Sequence, residues 1–237
     1  MNVREVLWYE LTQLPNRMGG WRGIVFYLLV AGGLGVWVPG RWGFEFLNPT
    51  VLIAYACFSM LFAGPVAAET FAGIVEMRLR EPVTQRAVLL GKFLASAGYG
   101  WISAMLMLGA GLVTVNVNNW HGSPLLPQTP FLLSVVGLSL CLAAFTGGLA
   151  AAIAVRTTSA VAKRLLRLVF LVLLLLMAAA LRFGPETWRM GALRQLSSDR
   201  FPTFALIAGT HLVFLGAVLL RVALGRVAAA AKDEAAD

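Results

Sequence analysis

The sequence predicts an all-α membrane protein: six transmembrane helices in a single domain, residues 1–237, opened by an N-terminal interfacial amphipathic helix. Three observations predict it. First, 59% of the 237 residues are apolar and 13% charged, against roughly 45–50% and 25% in average soluble domains. Second, long uncharged apolar runs recur along the chain. At about 20 residues per span, six of them take up about half of it and leave no room for a separate soluble catalytic domain. Third, the basic residues, 19 Lys and Arg against 11 Asp and Glu, gather in alternate connections, as expected of cytoplasmic loops.

The elements follow in order. In residues 1–15, Val3, Val6, Leu7, Leu11 and Leu14 share one helical face, with Arg4, Glu5, Thr12 and Gln13 elsewhere, so a short helix lying in the headgroup layer is expected. Pro15 is expected to end it. The segment has no continuous apolar core and no small-residue cleavage site, unlike a signal peptide. The spans are expected near residues 21–38, 48–68, 93–115, 131–155, 165–181 and 201–220. Trp21 and Trp37 suit the two interfaces of the first. From Phe93 to Val155, 63 residues hold no Asp, Glu, Lys or Arg. Two spans fit there, divided by the helix-breaking NVNNWHGSPLLPQTP from Asn116 to Pro130. The fifth run is strictly uncharged only from Leu168 to Leu181, with Arg164 and Arg167 placed to snorkel at its start. The connection after it, 182–200, suits a short outer amphipathic helix begun at Gly184 and Pro185, with Trp188, Ala192 and Leu196 opposite Arg194.

With six spans and the N-terminus inside, 14 basic residues lie inside and 5 (Arg41, Arg182, Arg189, Arg194 and Arg200) outside. Five spans would give 15 against 4, so charge alone does not choose. Solvation does: LVFLVLLLLMAAAL in a cytoplasmic loop would expose a large apolar patch with too little chain to cover it.

Catalytic chemistry finds no footing. His121 and His211 lack partners at metal-ligand or nucleophile–base spacing, and His211 suits a helix–helix hydrogen bond. Cys57 and Cys141 sit in apolar runs and read as small hydrophobes. The spans hold almost no carboxylates, unlike ion-coupled carriers, and no phosphate-binding Gly-rich loop is present. The expected metal and cofactor content of this chain is none, and energy for any transport is expected from another subunit.

Two features remain. In the fourth span, Ala143, Gly147 and Ala151 form one row of small residues and Ala144, Gly148 and Ala152 the row beside it, surfaces that let a helix backbone approach closely. The neighbour is either in the same chain or in a second copy. The inner connection between spans two and three is the densest charge cluster, with Glu69, Glu76, Arg78, Arg80, Glu81, Arg86 and Lys92 between residues 67 and 96. Glu76 and Arg80 make an i, i+4 pair in the favourable order, and Pro82 suits the first turn of a new helix. A firm cytoplasmic knob over 69–92 is expected.

At these residues the chain resembles the type-2 family of ATP-binding-cassette transporter permeases. Glu69, Gly73, Glu76, Pro82, Val83, Thr84, Val88, Leu89, Leu90, Gly91 and Lys92 stand in that family's order and spacing, and the six-span layout with both ends inside is similar throughout. The resemblance implies a permease subunit of an export complex in the plasma (bacterial inner) membrane, paired with a second copy or a related permease. ATP and Mg would be bound by partner ATPase subunits, which dock on Glu76, Arg78, Arg80, Glu81, Pro82, Val83, Thr84, Gln85 and Arg86. No nucleic acid partner is expected. The alternative is a membrane anchor for an ATPase that does mechanical or assembly work without solute transport.

Overall fold

A computed structural model describes residues 2–17, 20–42, 67, 71, 85–119, 121–122, 129–156, 161, 164–165, 168–169, 172 and 201–233. Among the described residues the chain forms five helices and no strands: α1 (Val3–Arg17), α2 (Trp21–Trp42), α3 (Gln85–Asn118), α4 (Thr129–Ala154) and α5 (Phe201–Asp233). Three stretches are long and apolar enough to cross a bilayer, Arg86–Asn118, Thr129–Ala154 and Phe201–Arg226, and Trp21–Trp37 is a shorter apolar helix. The spans expected near 48–68 and 165–181, the knob as far as residue 84, and the outer helix in 182–200 fall almost wholly outside the described residues.

Local chemistry sets the start of the chain. The Asn2 side chain accepts the Glu5 N–H at 3.0 Å while the Glu5 carboxylate accepts the Asn2 N–H at 2.9 Å, a reciprocal cap that satisfies donors the first turn leaves open. Between α1 and α2, Gly20 takes a φ of +73°, a left-handed conformation costly for residues bearing a Cβ. Its carbonyl then accepts the Gly23 and Ile24 N–H groups and starts α2. Contrary to the sequence expectation, α1 does not stop at Pro15 but runs on to Arg17.

Helix directions follow from the contacts. Phe131 stacks on Phe201 with ring centroids 4.3 Å apart. Further along, Cys141 faces Gly209 and the backbone at Phe145 and Gly148 faces Gly216, so α4 and α5 run parallel. Helices α2 and α3 are also parallel: Tyr27 neighbours Tyr99 and Gly35 lies against Met107 and Ala110. Helix α3 runs against α4, because Phe93 and Ser96 meet Gly147 whereas Met107, Leu108 and Val115 share a cluster with Val135, Leu138 and Leu142. That cluster, completed by Ala31, Phe201 and Ala205, fills one end of the bundle. The other end holds Leu89, Ala150, Ala151, Ala154 and Ala223, with Ala67 and Phe71 buried among them.

Close approach of backbones is the packing device. A Cβ on Gly148 would stand 2.5 Å from the Gly216 carbonyl oxygen, and one on Gly35 would stand 2.6 Å from the Met107 carbonyl oxygen. Both obstacles are backbone, so neither can swing aside. Replacing Gly148 by Ala is expected to lower stability by about 1–3 kcal/mol. Gly98→Ala, with nothing within 4 Å of the new atom, should be neutral or slightly stabilising. Reversible denaturation of the two variants in mixed micelles measures the difference.

Candidate functional site

The first turns of α3 follow directly on the charged connection that the sequence singles out, and their inner face is unusually occupied. Val88 and Leu89 are buried as expected of a helix entering a core. Gly91 is the contact point with α1: a Cβ there would stand 2.6 Å from Val6 Cγ1 and 3.1 Å from the Leu7 backbone nitrogen. Next to it, Lys92 is wholly buried and its Nζ donates to Glu10 Oε1 at 2.7 Å. Glu10 is buried as well, at 2% exposure. An isolated charge at this depth would cost several kcal/mol, and the two ions offset each other only at such short range.

Two helical turns further along α3, the Tyr99 hydroxyl donates to the Leu11 carbonyl at 3.3 Å. This contact explains why α1 continues past Pro15. Proline has no N–H, so the carbonyl four residues earlier, that of Leu11, lacks its helical donor. Tyr99 supplies one from another helix. Gly91, Lys92 and Tyr99 on α3 thus clasp Val6, Leu7, Glu10 and Leu11 on α1, while Trp8 and Tyr9 stay exposed.

Of the residues expected to dock a partner, Glu76, Arg78, Arg80, Glu81, Pro82, Val83 and Thr84 lie outside the described residues. Gln85 opens α3 and the Arg86 side chain is exposed. The two small-residue rows of α4 are both used inside this chain. Gly147 faces Ser96 and Phe93 of α3, with Ala143 and Ala151 fully buried along its row. Gly148 faces Gly216 of α5, with Ala152 nearly buried. Among the described residues no group of three His, Cys, Asp or Glu side chains converges to hold a metal ion.

Sequence reasoning missed Glu10 and did not see why Lys92 is needed. The signal was present: Glu10 follows Val6 by four residues and Leu7 by three, which puts its carboxylate in the middle of the apolar face.

No protein-family model, curated protein or solved structure matches the chain.

The clasp makes two measurable statements. Lys92→Met leaves Glu10 buried without its counter-ion and should cost about 3–5 kcal/mol, most of it regained when Glu10→Leu is added. Tyr99→Phe should cost about 1 kcal/mol through the lost bond to the Leu11 carbonyl. In a Pro15→Ala background, where residue 15 can donate to that carbonyl itself, the same change should cost much less.

Proposed function

We propose that the chain is a membrane-spanning permease subunit of an ATP-driven export complex, in which a separate ATPase hydrolyses ATP with Mg and drives translocation. One observation carries the reading. The helix that follows the charged 67–84 connection is fastened to the N-terminal helix by a buried ion pair and a glycine contact, so force applied to that connection moves α3 and α1 together. A loose loop would dissipate such a push; a clasped helix transmits it. The Gly91–Lys92 pair that belongs to the family-like pattern is the same pair that makes the clasp.

The helix directions support six spans with both termini on one side. Helices α2 and α3 are parallel, as are α4 and α5, which is what a further span between the members of each pair would require; the apolar runs 48–68 and 165–181 of the sequence are the candidates for those spans. The basic-residue asymmetry supports a cytoplasmic position for the shared side in a plasma membrane. Access of a membrane-impermeant thiol reagent to single cysteines tests this: Ser198→Cys should label from outside and Ala235→Cys only after permeabilisation. Labelling of position 235 in intact cells would remove the six-span arrangement.

Docking falls to residues 76–86, with Arg80 and Arg86 as its basic contacts. Exposed charges seldom change stability by more than about half a kcal/mol, whereas a reversed charge in an interface opposes binding directly. Arg80→Glu with Arg86→Glu should therefore yield a folded, inserted permease that no longer copurifies with its ATPase or no longer stimulates ATP hydrolysis. Arg189→Glu with Arg194→Glu, on the outer side, should leave the partnership intact. The opposite pattern would overturn both the orientation and the docking role.

A further inference from the structure

Exposed arginines gather at one end of the bundle. Leu89, Ala150, Ala151, Ala154 and Ala223 mark that end by sharing one cluster. Arg86 lies one helical turn before Leu89, Arg156 two residues past Ala154, and Arg221 and Arg226 on either side of Ala223. Arg4 stands two residues ahead of Val6, which touches Gly91. Arg22 opens α2 and is set deeper, about level with Lys92, because α2 runs parallel to α3 with Tyr27 beside Tyr99. All six side chains are exposed. Near them Glu10 is committed to Lys92 and Glu5 to the cap at Asn2, and none of the six arginines forms an ion pair among the described residues. The turns of α3, α4 and α5 at the opposite end, which carry Asn118, Thr129 and Phe201, are uncharged.

Two of the six arginines head apolar stripes of their own helices. Arg22 is followed on one face of α2 by Phe26 and Leu29, each 68% exposed. Arg221 is preceded on one face of α5 by Val218 and Phe214, 42% and 67% exposed. An apolar stripe alone selects no particular lipid, because any acyl chain covers it. The guanidinium at its head does select: its five N–H donors match the oxygens of a phosphate, and its long stem reaches the headgroup layer while lying along apolar surface. Charge decides between headgroups. A zwitterionic lipid brings its own cation to a surface already crowded with cations, whereas an anionic lipid brings net negative charge.

We propose that this end of the bundle is a binding surface for anionic phospholipids. Arg22 and Arg221 each hold a headgroup phosphate whose acyl chains lie along the stripe of the same helix, and Arg4, Arg156 and Arg226 add to the attracting field. All five helices contribute an arginine, which suits a layer of lipid around the bundle better than a protein that meets one side of it. Arg86 is also the residue assigned above to an ATPase contact and is left out of the test. The proposal requires that the chain sit in a bilayer and is independent of the export reading.

The test uses the full chain in vesicles that mix phosphatidylglycerol with phosphatidylcholine, one of the two carrying brominated acyl chains. Bromine quenches tryptophans that touch lipid, and Trp21, beside Arg22, is 74% exposed, so quenching by each brominated lipid in turn gives their relative affinity. Phosphatidylglycerol should bind about fivefold more tightly, the factor expected of one basic residue near an anionic headgroup. Arg22→Gln, Arg221→Gln and Arg226→Gln together should bring the ratio close to one, and the three corresponding lysine substitutions should preserve it. Equal affinity in the unaltered chain, a preference that the glutamines leave intact, or one that the lysines abolish would overturn the proposal and assign the arginines to water or to a protein partner. A second measurement needs no variant. In 1 M salt, where screening acts over about 3 Å, the ratio of the unaltered chain should fall towards one, and a ratio unmoved by salt would overturn the proposal as well. Neither measurement involves an ATPase, so the export reading stands or falls separately.

Discussion

The ion pair between Lys92 and Glu10 is the constraint on which the arrangement around α1 depends. Two buried opposite charges on separate helices permit few positions for those helices, because the favourable energy exists only within hydrogen-bond range and falls steeply as solvent enters. The Gly91 contact and the Tyr99 bond gain their meaning from it. Once Glu10 is held on Lys92, the backbone of α1 passes within reach of Gly91, where only hydrogen fits, and the Leu11 carbonyl comes within reach of Tyr99. Helix α1 thereby becomes part of the bundle, and the first turns of α3 become its joint with the N-terminal helix.

Polar satisfaction governs the rest of the molecule in the same way. Ser103, Thr114, Ser134 and Thr146 each donate a hydroxyl proton to a carbonyl one turn earlier in the same helix, which satisfies these donors without a partner from another element. Apolar burial contributes little specificity where the surroundings are themselves apolar, and shape takes over. The glycine contacts between α2 and α3, α3 and α4, and α4 and α5 set how closely each pair approaches and therefore which side chains fill the gaps around them.

Helices α3, α4 and α5 were legible in the sequence because uncharged runs of span length have few other structures open to them. The apolar face of α1 was legible as well, through Val3, Val6, Leu7 and Leu11. What escaped was pairing over distance. Glu10 read as one more polar residue because its partner lies 82 positions away, and periodicity carries no information about partners. Pro15 read as a stop because the donor that replaces its missing N–H lies 88 residues from the Leu11 carbonyl it serves. The two small rows of α4 were visible as surfaces, but whether they served this chain or another was decided by the directions of α3 and α5, which composition does not encode.

That separation has a consequence in time. At a synthesis rate of about 5–20 residues per second, Lys92 emerges roughly 4–16 seconds after Glu10, from which it is separated by 82 residues. Throughout that interval the carboxylate of Glu10 lacks the lysine that meets it in the folded chain, and burying that charge is disfavoured. Arrival of the lysine ends the wait. The ion pair thus works as a delayed latch: the contact that fastens α1 to α3 can close only after the first turns of α3 have been made.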